Sequence, residues 1–452
     1  MQMASKEEAA RQIATTMKTP FSSTPSGRLV GLYFLTILLA GCRSAPEPVT
    51  LDYPHGWSQR PDELAARAAL SEQFTRETGI HVRDIPWPES TSDQLAFLRT
   101  VLQGRTTGAD LFGVDPIWSE LLEPDLIDLR PYFAEDLSLV KPELLSSYAV
   151  ARKVVAIPYQ LNVGSLEYRS DLLREYGYDH PPGTWDELER MASRIQTGER
   201  AKGRKDFWGF VWQGAETESL TCNALEWQVG EGGGRIVESD RTISVNNPAA
   251  IRAWSRARRW IGRISPPAVV DYRERDSMNV FDSGLAAFNR VWLGTSVARS
   301  GPSSRVYWRS LEPRVSTGFT SVPGGPGGSG GTLGGAGLAV SRNSIHPREA
   351  VKLVRYLVHA QIESIEKRRR ASAIQTAFYN SDHSEKSTHN LNVVLRPSIE
   401  TGSLYIQVSA AYAATVHSVL MGKQGAPEAA AALEKQLIRI TGFRTGRPKA
   451  LQ

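Results

Sequence analysis

From Pro61 to Pro116 the chain alternates between helical and extended patterns, and this alternation restricts the fold more than any other feature. Leu64, Ala68 and Phe74 recur among good helix formers up to Thr78, and Gly79 follows as a stop signal. Ile80-His-Val82 reads as a short strand and Leu95 to Leu102 as an apolar helix. Asp110-Leu-Phe-Gly-Val-Asp115 then reads as a strand ending in an acid, before Pro116 opens the next helix. Such a pattern predicts α/β layers around a largely parallel sheet, with ligands gathering beyond the carboxyl ends of strands. Thr184-Trp-Asp-Glu187 is a capping box, and Trp185, Leu188, Met191, Ala192 and Ile195 repeat behind it at helical spacing, which assigns Trp185 to a core. Helical patterns also run from Arg348 to Val358 and from Pro427 onward. No repeat of solenoid or propeller length is present.

With 41% hydrophobic and 22% charged residues, the 452-residue chain is globular and long enough for two or three domains. Its charge surplus of +5 does not argue for nucleic acid. Two cysteines, Cys42 and Cys222, cannot build a disulfide framework or a zinc ribbon. Cys222 is expected to be a buried thiol.

Residues Leu29 to Ala40 form a twelve-residue apolar run with Lys18 and Arg28 upstream. A spanning helix wants about 20 apolar residues, so the run fits a signal-peptide core better. Leu39-Ala-Gly-Cys42 resembles a bacterial lipobox, which makes Cys42 the lipid acceptor and first mature residue, with 42–49 a tether and 1–41 the leader. Removing the leader discards four basic residues against two acidic ones, so the surplus falls from +5 to +3.

Chemistry-bearing motifs are sparse. The eight histidines form no metal-binding pair, and a nucleophile elbow is missing. Glu216 and Glu218 form a carboxylate pair of the kind a glycosidase would use. Lys367 to Arg370 reads as a solvated helix face. Pro323 to Gly337 holds nine glycines in fifteen residues and lacks a phosphate-loop ending, so it reads as a flexible connection into the strand-like Thr332 to Val340. Eleven tryptophans, with Trp208, Trp212, Trp227 and Trp292 near polar residues and glycines, match the mix of flat apolar faces and hydrogen-bonding groups that sugars require.

Several segments carry a family resemblance. They are Ala109 to Trp118, Val155 to Gly164 with Leu166 to Leu173, Pro181 to Leu188, Phe207 to Gly214, Ile264 to Pro267, Phe281 to Trp292 and Thr332 to Gly335. In this order the chain resembles the extracellular solute-binding proteins, family 1, of ABC sugar importers, closest to trehalose/maltose-binding members. The resemblance implies a type II periplasmic-binding-protein fold, two α/β lobes around a ligand cleft with a hinge. It implies lobe one at 50–157 and 316–361 and lobe two at 158–315 and 362–452, with crossings near Ala156-Ile157-Pro158, Val315 and residue 362. It also implies a monomeric, non-enzymatic receptor without cofactor or metal, held to the membrane by its lipid and passing an oligosaccharide to permease subunits, with no nucleic-acid partner.

Carried over by position, Asp115 matches the acid that accepts from sugar hydroxyls, Trp292 the tryptophan that stacks on a ring, and Gly335 the backbone-contact glycine. Gln160 and Asn162 stand where close relatives have Tyr and Asp, and Ala336 replaces the tryptophan of a Gly-Gly-Trp motif. Around Gln94-Leu95 no arginine matches the one close relatives offer. Trp212 and Tyr272 are further candidates. A surface lipoprotein glycoside hydrolase, or a sensor or scaffold that kept the fold with an altered pocket, are the alternatives.

Overall fold

The computed structural model describes residues 47–55, 61–88, 91–104, 108–139, 142–294, 316–367 and 393–450. The expected leader, Cys42, Arg368 to Arg370 and the expected crossing at Val315 lie outside the described residues. The elements that position the site begin with β1 (Thr50–Pro54), α1 (Pro61–Thr78), β2 (His81–Ile85), α2 (Thr91–Gln103) and β3 (Leu111–Val114), as the alternating pattern requires. The long strand β4 (Ile157–Arg169) follows, then α3 (Trp185–Ala201), β5 (Trp208–Val211), α4 (Glu218–Gly230), α5 (Pro248–Trp260), α6 (Glu274–Asp282) and β6 (Ala286–Gly294). The described chain ends with β7 (Thr317–Ser321), β8 (Gly331–Val340), α7 (Pro347–Lys367), β9 (Val393–Val394), α8 (Tyr405–Leu420) and α9 (Ala426–Thr441).

Local chemistry sets several boundaries. Gly79 ends α1 in the left-handed region at φ 72°, where only glycine is unstrained. Thr184 caps α3 by accepting from the Glu187 amide at 3.2 Å while the Glu187 carboxylate accepts from the Thr184 amide, the reciprocal arrangement read from sequence. The apolar stripe behind that cap (Trp185, Leu188, Met191, Ala192, Ile195) is buried.

The sheet differs from the expected largely parallel one. β1 pairs with β2 in parallel, and the Asp110 amide donates to the Asp52 carbonyl at 2.8 Å, which ties β1 to the start of β3. In the seven-stranded sheet, however, β8 runs antiparallel to β3 and β4, and β4 antiparallel to β6 and β7; only β5 on β6 and β9 on β8 are parallel. The reason is that β4 and β8 are long strands whose neighbours join them directly from either side instead of through repeated strand–helix–strand crossovers.

Those cores explain the two lobes. One gathers α1, β3 and α7 with Ile157 from the start of β4 and Leu338 and Val340 from the end of β8. The other gathers α3, α4, α5, α8 and α9 with Leu166 from the end of β4. Val322, just after β7, packs into this second core, and β7 itself pairs with Arg169 to Ser165. Leu338 and Val340, toward the end of β8, pack in the first core. The glycine-rich segment also departs from expectation. Gly324 donates to Gly183 O at 2.9 Å and accepts from Trp185 N, and Gly327 donates to Gly230 O at 2.8 Å. A Cβ at Gly325 would sit 2.6 Å from Gly230 O, so these glycines permit close backbone packing against the end of α4 and do not form a loose linker. Among the described residues no helix is long and apolar enough to cross a membrane.

Candidate ligand-binding site

Strand register builds the site. Asn162 on β4 pairs with Gly334 on β8 and Gly294 on β6; two residues on, Gly164 pairs with Trp292. Side chains two apart share a sheet face, so Gln160, Asn162, Gly164, Trp292, Gly334 and Ala336 present to the same side. A register shift between Ala336 and Gly337 leaves Tyr159 unpaired, a bulge next to Pro158, which has no amide to donate. That extra residue lets Ile157 enter the first core while Gln160 and Asn162, both half-buried, line the face. Gly335 pairs with Leu161 at φ 118°, a conformation that explains glycine there independently of any ligand. Ala336 lies against β3, where a Cβ on Gly113 would stand 3.3 Å from its own.

Trp292 spans this face. A Cβ at Gly334 would sit 2.9 Å from its ring, and the Arg290 guanidinium carbon lies 4.0 Å from its ring centroid. Trp212, by contrast, is fully buried, donates to Ser265 Oγ at 3.0 Å and packs edge-to-face on Trp227 at 5.0 Å. Together with Trp185, Trp260 and Phe210 these rings form the aromatic centre of the second core. The structure thus withdraws Trp212 and Trp227 from the sugar-facing set, because neither has a face left to offer. Trp208 carries Arg200 over its ring at 4.4 Å. Tyr272 ends a 3₁₀ turn and packs half-buried against Val211, Phe281 and Ala286, and burial raises its hydroxyl pKa.

Asp115 follows β3 as the cap of the turn Pro116–Trp118, its Oδ1 accepting from the Ile117 amide at 3.2 Å. The same oxygen accepts from Arg396 Nη2 at 2.6 Å. Arg396 also donates to Glu218 Oε1 at 3.0 Å and to the Leu333 carbonyl at 3.1 Å, and its side chain is only 3% exposed. Glu218, at the start of α4, accepts further from Ser409 Oγ at 2.6 Å and from the Tyr405 hydroxyl. Arg396 is the site residue that sequence reasoning missed, since it lies 281 positions from Asp115 in a short irregular stretch. Burial raises the Asp115 carboxyl above its ordinary range, against the opposing pull of Arg396. The carboxylate pair read from sequence does not face a common bond: Glu218 is held by Arg396, whereas Glu216 is 56% exposed near His417. Among the described residues no cluster of ligating side chains could hold a metal ion.

Two lobes whose cores are bridged by β4, with a polar and aromatic sheet face beside a charged pair, define a type II periplasmic-binding-protein-like molecule. Residues 57–362 match the family of bacterial extracellular solute-binding proteins, and the chain belongs to that family. It is 37% identical over 386 residues to a probable ABC transporter-binding protein of Deinococcus radiodurans, covering 82% of this chain and 89% of the relative. It is 24% identical over 352 residues to the multiple sugar-binding protein of Streptococcus mutans, covering 74% of this chain and 78% of that one. Among solved structures, the maltose-bound MalE3 of T. maritima superposes with a TM-score of 0.72 at 28% identity, covering 87% of this chain and all of the other.

Proposed function

We propose that the chain is the solute-binding receptor of an ABC importer, working outside the cytoplasmic membrane, that captures an oligosaccharide and delivers it to the permease. The observation that carries this reading is the register that sets Gln160, Asn162, Trp292 and Gly334 on one sheet face beside the Asp115–Arg396 pair. A sugar ring stacks on Trp292, Gln160 and Asn162 exchange hydrogen bonds with its hydroxyls, and Asp115, held in place by Arg396, offers an acceptor. A trehalose- or maltose-like disaccharide is the favoured ligand, in keeping with the maltose held by the T. maritima relative. Lipid attachment at Cys42 would keep the receptor beside its permease, and the chain acts as a monomer.

Equilibrium dialysis against a panel of disaccharides, with chromatography of the recovered sugar, tests the reading. Saturable retention of intact sugar is expected, weakened about tenfold or more in Asp115→Ala by loss of a hydrogen bond to a charged group. Cleaved sugar whose release stops when a single carboxylate is replaced would instead establish a glycosidase.

A further inference from the structure

Beneath the ligand-facing ring lies a buried ion pair that the sugar reading does not use. Arg290, two residues before Trp292 on β6, donates from Nη2 to Glu226 Oε1 at 2.6 Å and from Nε to Oε2 at 3.2 Å, and both side chains are essentially inaccessible. Thr332 at the start of β8 closes the set: its hydroxyl and amide donate to Glu226 Oε1 at 2.6 and 3.0 Å, and its hydroxyl accepts from Arg290 at 3.1 Å. Three elements, α4, β6 and β8, therefore meet at one guanidinium. The pair occupies the space where Gly164 would carry a side chain, since a Cβ there would collide with the Glu226 carboxylate. The guanidinium carbon of Arg290 lies 4.0 Å from the Trp292 ring centroid, so the cation that Glu226 and Thr332 hold is also the one against the indole.

We infer that Arg290, held by Glu226 and Thr332, is a positioning residue for the Trp292 stacking platform: it lies against the indole and fixes the plane of the ring. The inference rests on the proposed sugar site. A planar cation on an aromatic face favours one orientation of the ring, and a site of fixed orientation spends less ordering entropy when it binds. Lysine keeps the charge opposite Glu226 but cannot stack as a plane, so it separates ring positioning from charge pairing.

The test uses the chain labelled with 5-fluorotryptophan, the Trp292 fluorine resonance being assigned by its loss in Trp292→Phe. In Arg290→Lys the Trp292 resonance should shift and broaden while the other ten stay in place. The pair Glu226→Gln with Arg290→Met, which leaves no buried unpaired charge, should do the same and serves if the lysine variant does not fold. With the disaccharide that binds the parent, calorimetry should show about a tenfold weaker Kd for Arg290→Lys, and that loss should vanish in a Trp292→Phe background. An unmoved Trp292 resonance, movement of all the tryptophans together, or an equal loss of affinity in both backgrounds would overturn the inference. If no disaccharide binds the parent, the sugar reading fails and the fluorine spectra still decide whether Arg290 positions the ring.

Discussion

Trp212 and Trp292 occupy similar contexts in the sequence, each near polar residues and glycines, and the fold gives them opposite work. Trp212 is fully buried among Trp227, Trp260 and Phe210, whereas Trp292 lies half-buried on the sheet face. Trp212→Ala should therefore cost about 3–5 kcal/mol in urea unfolding, because it empties a packed core, while Trp292→Ala should cost about 1 kcal/mol, mainly the lost contact with Arg290. Equal costs would contradict the division. Composition alone could not separate the two rings, since core and sugar-binding tryptophans differ only in what surrounds them in space. Asp115 was legible because a strand ending in an acid marks its position locally; Arg396 was not, because its partners are Asp115, Glu218 and the Leu333 carbonyl, brought together only by the fold. Cys222, expected to be buried, is fully inaccessible, and burial pushes its thiol up to about 12. In a Cys42→Ser background, a chromogenic disulfide reagent at neutral pH should release no thiolate dye from the folded chain and one equivalent after denaturation. Rapid reaction of the folded protein would refute the burial.

Among elements, α1, α2 and α3 were readable from periodicity and caps, and the structure places them where the pattern indicated. The strands were readable as strands but not in their direction. A strand carries no mark of whether its neighbour runs parallel, and β4 takes antiparallel neighbours on both edges because it passes from one core to the other. The glycine-rich stretch before β8 shows the same limit, since glycine serves a loose linker and a tightly packed turn equally well. Here Gly324 and Gly327 donate to backbone carbonyls at Gly183 and Gly230. Hydrogen exchange followed by mass spectrometry should find these amides protected well beyond those of an open loop, and exchange at the rate of an unstructured peptide would restore the linker reading.

At the scale of the molecule, two cores share β4, and the polar face it forms with β8 lies on the stretch of the strand between Ile157 in one core and Leu166 in the other. Asp115 comes from the end of β3, Glu218 from the start of α4, and Arg396 joins them, so the candidate site draws on both halves of the fold. This geometry fits capture between lobes, in which closing excludes water from hydrogen bonds to a polar ligand. Family membership was legible from the order of short motifs, whereas the packing of Val322 in the second core and the pairing of β7 with the end of β4 emerge only from the fold. Calorimetric titration of the chain and of Trp292→Ala with maltose and trehalose tests whether the Trp292 face binds a sugar. Saturable heat from at least one disaccharide, with a Kd weakened by about tenfold or more in the variant, is the expected result; unchanged affinity in Trp292→Ala, or no heat from either sugar with the parent, would contradict it.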